Sequence, residues 1–214
     1  MKLNAPATYE DITVGQLIEH GDREIGDLEL VRVYCELSKE QLNETPYQLV
    51  SEAARHIKKI LAKPMTKHQR VFIHKGVKYG FIPDWSKFKT KEYVDLVTFA
   101  KNPTMNAHKI MAVLFRPVTD EHGSAYSIAE YKGTAEANLE AYRSMSAARY
   151  QGAMVFFSAT RNNSLRILAQ SLKDQQNKKV TGVWSTFKNS FQNAGRGITR
   201  WLRLRAANFS KWMK

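Results

Sequence analysis

Apolar residues recur at helical spacing through most of the first sixty positions. Val14, Leu17 and Ile18 fall at i, i+3 and i+4 before His20, with Asp11 and Thr13 as capping residues. Gly21 and Gly26 interrupt the pattern. Leu28, Leu30, Val31, Val33 and Tyr34 then open a buried helix running to Leu37. Ser38 and Gln41 have the spacing of a capping box for a short helix. Thr45-Pro46 starts the next helix, a capping residue followed by proline at the first helical position. Its apolar stripe is Tyr47, Leu49, Val50, Ala53, Ala54, Ile57, Ile60 and Leu61. Lys58, Lys59 and Lys63 complement the dipole at its C-terminal end, and Pro64 stops it.

The period changes at residues 69–83. Side chains alternate around Lys75-Gly76, which predicts a β-hairpin with a two-residue turn. A lone hairpin is unstable in water and must pack on helices or pair with another strand. Helical pattern resumes at Lys91–Ala100 and at Met105–Phe115, ending at Arg116-Pro117. These two segments echo Val14–Glu19 and Leu30–Tyr34, which suggests two helix pairs packed as pseudo-symmetric halves around the hairpin. Residues 118–133 read as a polar connection. Alanine-rich helix follows over Ala135–Arg149, then the apolar run Gly152–Phe157, then an amphipathic stretch through Leu165, Ile167, Leu168 and Leu172. The expected fold is therefore mainly α: a helical body over 1–173 with one small β-hairpin at about 69–83. Residues 174–214 form a basic, aromatic-rich C-terminal extension.

Composition sharpens this division. Residues 175–214 hold nine lysines and arginines and no acidic residue, whereas the other 174 residues hold twenty-four basic and twenty acidic groups. One end thus carries most of the net charge of +13. On a helix, Trp184, Phe187, Phe191, Ile198 and Trp201 form an apolar seam, with Trp212 beyond it. Lys188, Arg196, Arg200, Arg203, Arg205 and Lys211 supply the cations. Gly195 and Gly197 divide this seam into two shorter amphipathic helices. Such a segment fits three targets: a protein surface that buries the seam, nucleic acid, or a membrane surface.

Catalytic signatures are missing. There is no phosphate-binding Gly-x-x-x-x-Gly-Lys-Ser/Thr loop, no His-Glu-x-x-His helix and no Gly-x-Ser-x-Gly elbow. His20, His56, His68, His74, His108 and His122 lack the close spacing of a zinc site, although His68, His74 and His108 have the chance to converge in space. Cys35 sits in an apolar run and reads as a small buried hydrophobe. No stretch of about eighteen uninterrupted apolar residues occurs, so no conventional membrane-spanning helix is expected. The expectation is a soluble intracellular protein without catalytic, metal or cofactor residues and without a small-molecule substrate.

Several segments carry a resemblance. Ile12–Glu19, the buried helix to Leu37, the hairpin, Glu92–Leu96, Ile110–Pro117 and Gly152–Phe157 occur in an order that resembles the tail-assembly-chaperone-like virion and morphogenesis proteins of tailed phages. The resemblance is especially to those of the crAss-like phages. The resemblance spans about residues 8–172 and leaves the basic extension outside. It implies a non-enzymatic structural or assembly role, oligomeric contacts with phage structural proteins, and a place in the virion or host cytoplasm. The extension would hold a partner or packaged DNA. The alternative is a nucleic-acid-binding or membrane-surface-active effector that works through the extension.

Overall fold

The structure is a computed structural model that describes residues 3–63, 67–84 and 87–156. After a short 3-10 turn at Tyr9–Asp11, the chain forms α1 (Val14–His20), α2 (Asp27–Tyr34), α3 (Lys39–Asn43) and α4 (Tyr47–Leu61). Local side-chain chemistry sets their starts. Thr13 Oγ1 accepts from the Gln16 amide at 3.1 Å, and Gln16 Oε1 accepts from the Thr13 amide at 2.9 Å. Ser38 and Gln41 repeat the arrangement at 3.2 and 2.9 Å. Thr45 does not cap α4: its hydroxyl donates to the Gln41 carbonyl at 2.7 Å, and Pro46 takes the capping position. Val50, Ala53, Ala54, Ile57 and Ile60 are buried on α4, which packs on α2, while Tyr47 and Leu49 face solvent.

The hairpin follows as β1 (Val71–His74) and β2 (Val77–Phe81). Lys75 and Gly76 have φ of 47° and 77°, the pair of left-handed residues that a tight hairpin turn requires. Two helices come next, α5 (Thr90–Phe99) and α6 (Ala107–Leu114), then β3 (Phe115–His122), β4 (Ala125–Ile128) and α7 (Leu139–Arg143). Residues 147–156 are again helical. Every residue of α6 except Lys109 is buried, and this helix packs against α1, α5, α7 and β3 at the centre of the body.

The sheet order is β1-β2-β3-β4, antiparallel throughout. Its core face carries Phe72, Tyr79, Phe81 and Phe115, with ring centroids 5.8 Å apart for Phe72–Tyr79 and 5.1 Å for Phe72–Phe115 and Phe81–Phe115. The N-terminal segment closes on the late helices. The Val14 amide donates to the Met145 carbonyl at 2.8 Å, and the Ala147 amide to the Ile12 carbonyl at 2.7 Å.

The expectation of a mainly α body with one small hairpin is therefore overturned: the protein is mixed α/β, with helices packed on a four-stranded antiparallel sheet. The polar connection read at 118–133 contains most of a second hairpin. Two features hide it. α6 passes into β3 with no intervening residue, so Arg116-Pro117 reads as a helix stop. Beyond Val118 the strand consists of Thr119, Asp120, Glu121 and His122, all exposed, so no apolar alternation marks it. The two helix pairs read as echoes also continue differently, since α2 leads to the short α3 and α6 leads directly into a strand. The amphipathic stretch at 165–172 and the whole extension over 174–214 lie outside the described residues.

Candidate functional site

An open groove of about 460 Å³ lies between α1, α2 and α7. Thr13, Gly15, Gln16, Glu19, Arg32, Val33, Glu36, Leu37, Glu140, Arg143 and Ser144 line it. Arg32 dominates its charge but is already engaged. Its Nη2 stands 2.5 Å from Glu19 Oε1 and 2.8 Å from Glu29 Oε1, and Nε donates to Glu29 Oε2 at 2.8 Å. The hydrogen bonds it donates to Glu29 and then Glu19 raise the Arg32 pKa, and the same guanidinium lowers that of Glu29. This cation is spent on the protein's own carboxylates. Glu36 closes the end of α2 with φ of 55°, a conformation usually given to glycine, while the Leu37 amide donates to the Arg32 carbonyl at 3.0 Å. Its carboxylate accepts from Gln16 Nε2 at 3.1 Å.

A second polar cluster is internal. Glu92 on α5 is only 3% exposed, and its Oε1 meets Arg116 Nη1 of β3 at 2.8 Å. Glu92 Oε2 also accepts from the Lys89 amide at 2.6 Å, capping α5. Nearby, the Tyr131 hydroxyl donates to Asp95 Oδ2 at 2.7 Å. Burial first, then this carboxylate, pushes the Tyr131 phenol up and keeps it protonated. The cluster ties α5 to the back of the sheet and to the segment after β4.

The histidines do not converge. His68 stacks on Phe156 at 4.5 Å and meets Phe81 edge-on at 4.4 Å. Burial, helped by Arg70, pushes its pKa down to about 4, so the ring is neutral. His74 Nε2 lies 2.9 Å from Ser144 Oγ, and burial lowers its pKa too. His108 sits on α6, where burial and then Arg143 hold it down. Among the described residues no group of three potential ligands could hold a metal ion, and no helix is long and apolar enough to cross a membrane.

Charge within residues 1–174 is more unevenly spread along the chain than their near-balanced sum suggests. Residues 10–52 hold eleven acidic and three basic side chains, whereas residues 63–91 hold eight basic and one acidic. Glu40, Glu44 and Glu52 are exposed, as are Lys39 and Arg55 on the same two helices, and Tyr47 is 74% exposed. Lys67, Arg70 and Lys75 are exposed, and Ile73 on β1 is 72% exposed. Counting charge by total hid this separation; a running window along the chain reveals it.

None of the residues predicted as contacts is among those described. Lys188, Arg196, Arg200, Arg203, Arg205 and Lys211 lie outside the described residues, as do Trp184, Phe187, Phe191, Ile198, Trp201 and Trp212. The chain matches no family model, no curated protein and no solved structure.

Proposed function

We propose that this is a non-enzymatic structural or assembly protein of a tailed phage, either a tail-assembly chaperone or a component stored in the virion. It acts by protein–protein contact, in the virion or the host cytoplasm. One observation carries this reading: large apolar side chains stand exposed beside charged residues in the chain, Tyr47 (74%) after Glu44 and Ile73 (72%) between Arg70 and Lys75. An apolar anchor with a charged rim is how contact surfaces combine affinity with choice of partner. The polar clusters of the body serve its own packing, as with Arg32 between Glu19 and Glu29 and Glu92 beside Arg116. The order of apolar segments over residues 8–172 supports the phage assignment.

The test is quantitative mass spectrometry of purified particles and of their assembly intermediates. The protein should be present in at least one of these at a fixed ratio to a structural protein. Its absence from both, with all of it free in the lysate, would overturn the proposal.

A second reading places the work in the C-terminal segment, on nucleic acid or an anionic membrane surface. The charge of residues 157–214 favours it, with twelve basic side chains and one acidic. Changing Arg196, Arg200, Arg203 and Arg205 together to glutamine should then flatten the salt dependence of DNA binding. An unaltered slope excludes phosphate contact by these arginines. If instead the wild-type protein binds anionic vesicles and not DNA, the membrane form of this reading stands.

A further inference from the structure

We propose that His68 is a proton-operated latch: a proton on its ring releases the last turn of the 147–156 helix, residues 152–156, from the chain entering β1. The rest of the body stays closed. The inference needs neither the phage assignment nor contact with a partner.

The latch is a ring packed among rings. The His68 imidazole stacks on Phe156 at 4.5 Å with planes 18° apart, and it meets Phe81 of β2 edge-on at 4.4 Å. Phe115 of β3 stands 6.2 Å away. Gly152 makes this approach possible. A Cβ there would stand 2.5 Å from the Lys67 carbonyl oxygen and 3.2 Å from the His68 Cα. Gly152 and Phe156 are four residues apart, so they share one face of the helix. One turn presses its bare backbone on Lys67, and the next lays a phenyl ring on the imidazole.

Both imidazole nitrogens are buried and, among the described residues, neither has a hydrogen-bond partner. A neutral ring tolerates this; an imidazolium has two N–H donors and a full charge to satisfy. The phenyl rings around it offer less than the water it gives up. The charge acting on the ring is that of Arg70, a cation, and no carboxylate among the described residues offsets it. The helix contributes Arg149, which is paired with Glu10. β2 contributes Lys78, paired with Glu121, and β3 contributes Arg116, paired with Glu92. On β1, His74 faces Ser144 instead. Opening the last turn is therefore how a protonated ring reaches water.

Upstream, the helix is tied down by contacts that do not touch His68. The Ala147 amide donates to the Ile12 carbonyl at 2.7 Å, Arg149 Nη1 to Glu10 Oε1 at 3.0 Å, and the Tyr150 hydroxyl to the Pro103 carbonyl at 2.7 Å. Release thus stops at the last turn. Beyond Phe156 the sequence continues into residues 157–214, with twelve basic side chains and one acidic, so the latch stands at the root of that charge.

The experiment is amide hydrogen exchange of the full chain by NMR between pH 7 and 5, corrected for the intrinsic pH dependence of exchange. Imidazole signals are followed in the same samples. With a closed-state pKa of about 4 and a released one near 6.5, opening at residues 152–156 should increase about twentyfold from pH 7 to pH 5. Amides of α6 and β3 should keep their protection. His68→Phe keeps a ring on Phe156 and should leave 152–156 equally protected at both pH values. Gly152→Ala pushes the helix off the Lys67 carbonyl; it should raise exchange there at pH 7 and move the His68 titration toward 6.5.

Exchange at 152–156 that does not change with pH overturns the proposal. So does a pH response that survives in His68→Phe, which would assign it to another group such as His74 or His108. Parallel loosening of α6 and β3 also overturns it, because acid then unfolds the body rather than one turn. Should His68→Phe fail to fold, Gly152→Ala decides: a His68 titration that stays at its wild-type position overturns the latch.

Discussion

The ring of Tyr126 occupies the space where Gly80 would carry a side chain. A Cβ on Gly80 would stand 2.5 Å from Cε2 of the ring and 3.0 Å from Cγ2 of Ile128. The Tyr126 hydroxyl then reaches the Phe81 carbonyl and donates to it at 2.7 Å. β4 is bonded to β3 in the sheet, so this contact is how it also folds back over β2. Gly80→Ala should cost about 1–3 kcal/mol through overpacking. Tyr126→Phe should cost about 1 kcal/mol for the lost hydrogen bond. Urea denaturation of Gly80→Ala in a Tyr126→Ala background should show most of the first cost gone; strictly additive losses would mean that the two residues do not touch.

Glu92 combines two duties, pairing with Arg116 and capping α5. Glu92→Ala would leave a guanidinium that is 12% exposed without its carboxylate. The expected loss is about 3–5 kcal/mol. Glu92→Gln keeps an acceptor for the Lys89 amide and should lose less. Equal denaturation midpoints for the wild type and Glu92→Ala would mean that this pair contributes nothing to stability.

Acid should weaken the protein through its histidines. The folded pKa of His68, about 4, lies below the 6.5 of a free imidazole. The unfolded chain therefore takes up the proton first, and stability rises with pH. The contribution is complete above about pH 6.5 and is lost as pH falls toward 4; for a partly exposed ring it is at most on the order of 2 kcal/mol. Burial lowers the pKa of His74 and His108 as well, so both act in the same direction. His68→Phe retains an aromatic ring beside Phe156 and removes one titration. Its melting temperature should fall less steeply between pH 6.5 and 4 than that of the wild type, and superimposable profiles would refute the assignment.

Glu36 occupies a left-handed position at the end of α2. Glu36→Gly removes the steric cost of that conformation, about 1 kcal/mol, and loses the part-buried hydrogen bond from Gln16. The balance should leave the protein as stable as before, or more stable by a few tenths of a kcal/mol. A drop of more than about 1 kcal/mol in guanidinium denaturation would show that the carboxylate, not the backbone, governs this corner.

How far the sequence could be read depended on how local each determinant is. Thr13 with Gln16, Ser38 with Gln41, and Lys75 with Gly76 fix their elements within four residues, and each appears where the pattern places it. β3 and β4 depend on partners elsewhere in the chain, and their exposed outer halves carry no apolar period. Thr45 misled because Pro46 itself takes the capping position, and the Thr45 hydroxyl donates to the Gln41 carbonyl. The burial of Glu92 left one trace, its place four residues before buried Leu96 on the same stripe of α5. Arg116, its partner, is twenty-four positions away across a helix and a loop, a distance no periodicity spans. The predicted contact residues of the extension lie outside the described residues.

The direct passage from α6 to β3 has one more consequence. Phe115 and Arg116 are consecutive in a strand, so they point to opposite sides of the sheet. One side takes the ring into the aromatic core with Phe72 and Phe81; the other takes the guanidinium to Glu92. With no loop at the junction to absorb an extra residue, a single insertion there would exchange the two, driving a cation among phenyl rings and a phenyl ring onto a carboxylate. The sorting of oil from charge in this interior is thus a matter of phase, set where a helix with a period of 3.6 hands over to a strand with a period of two.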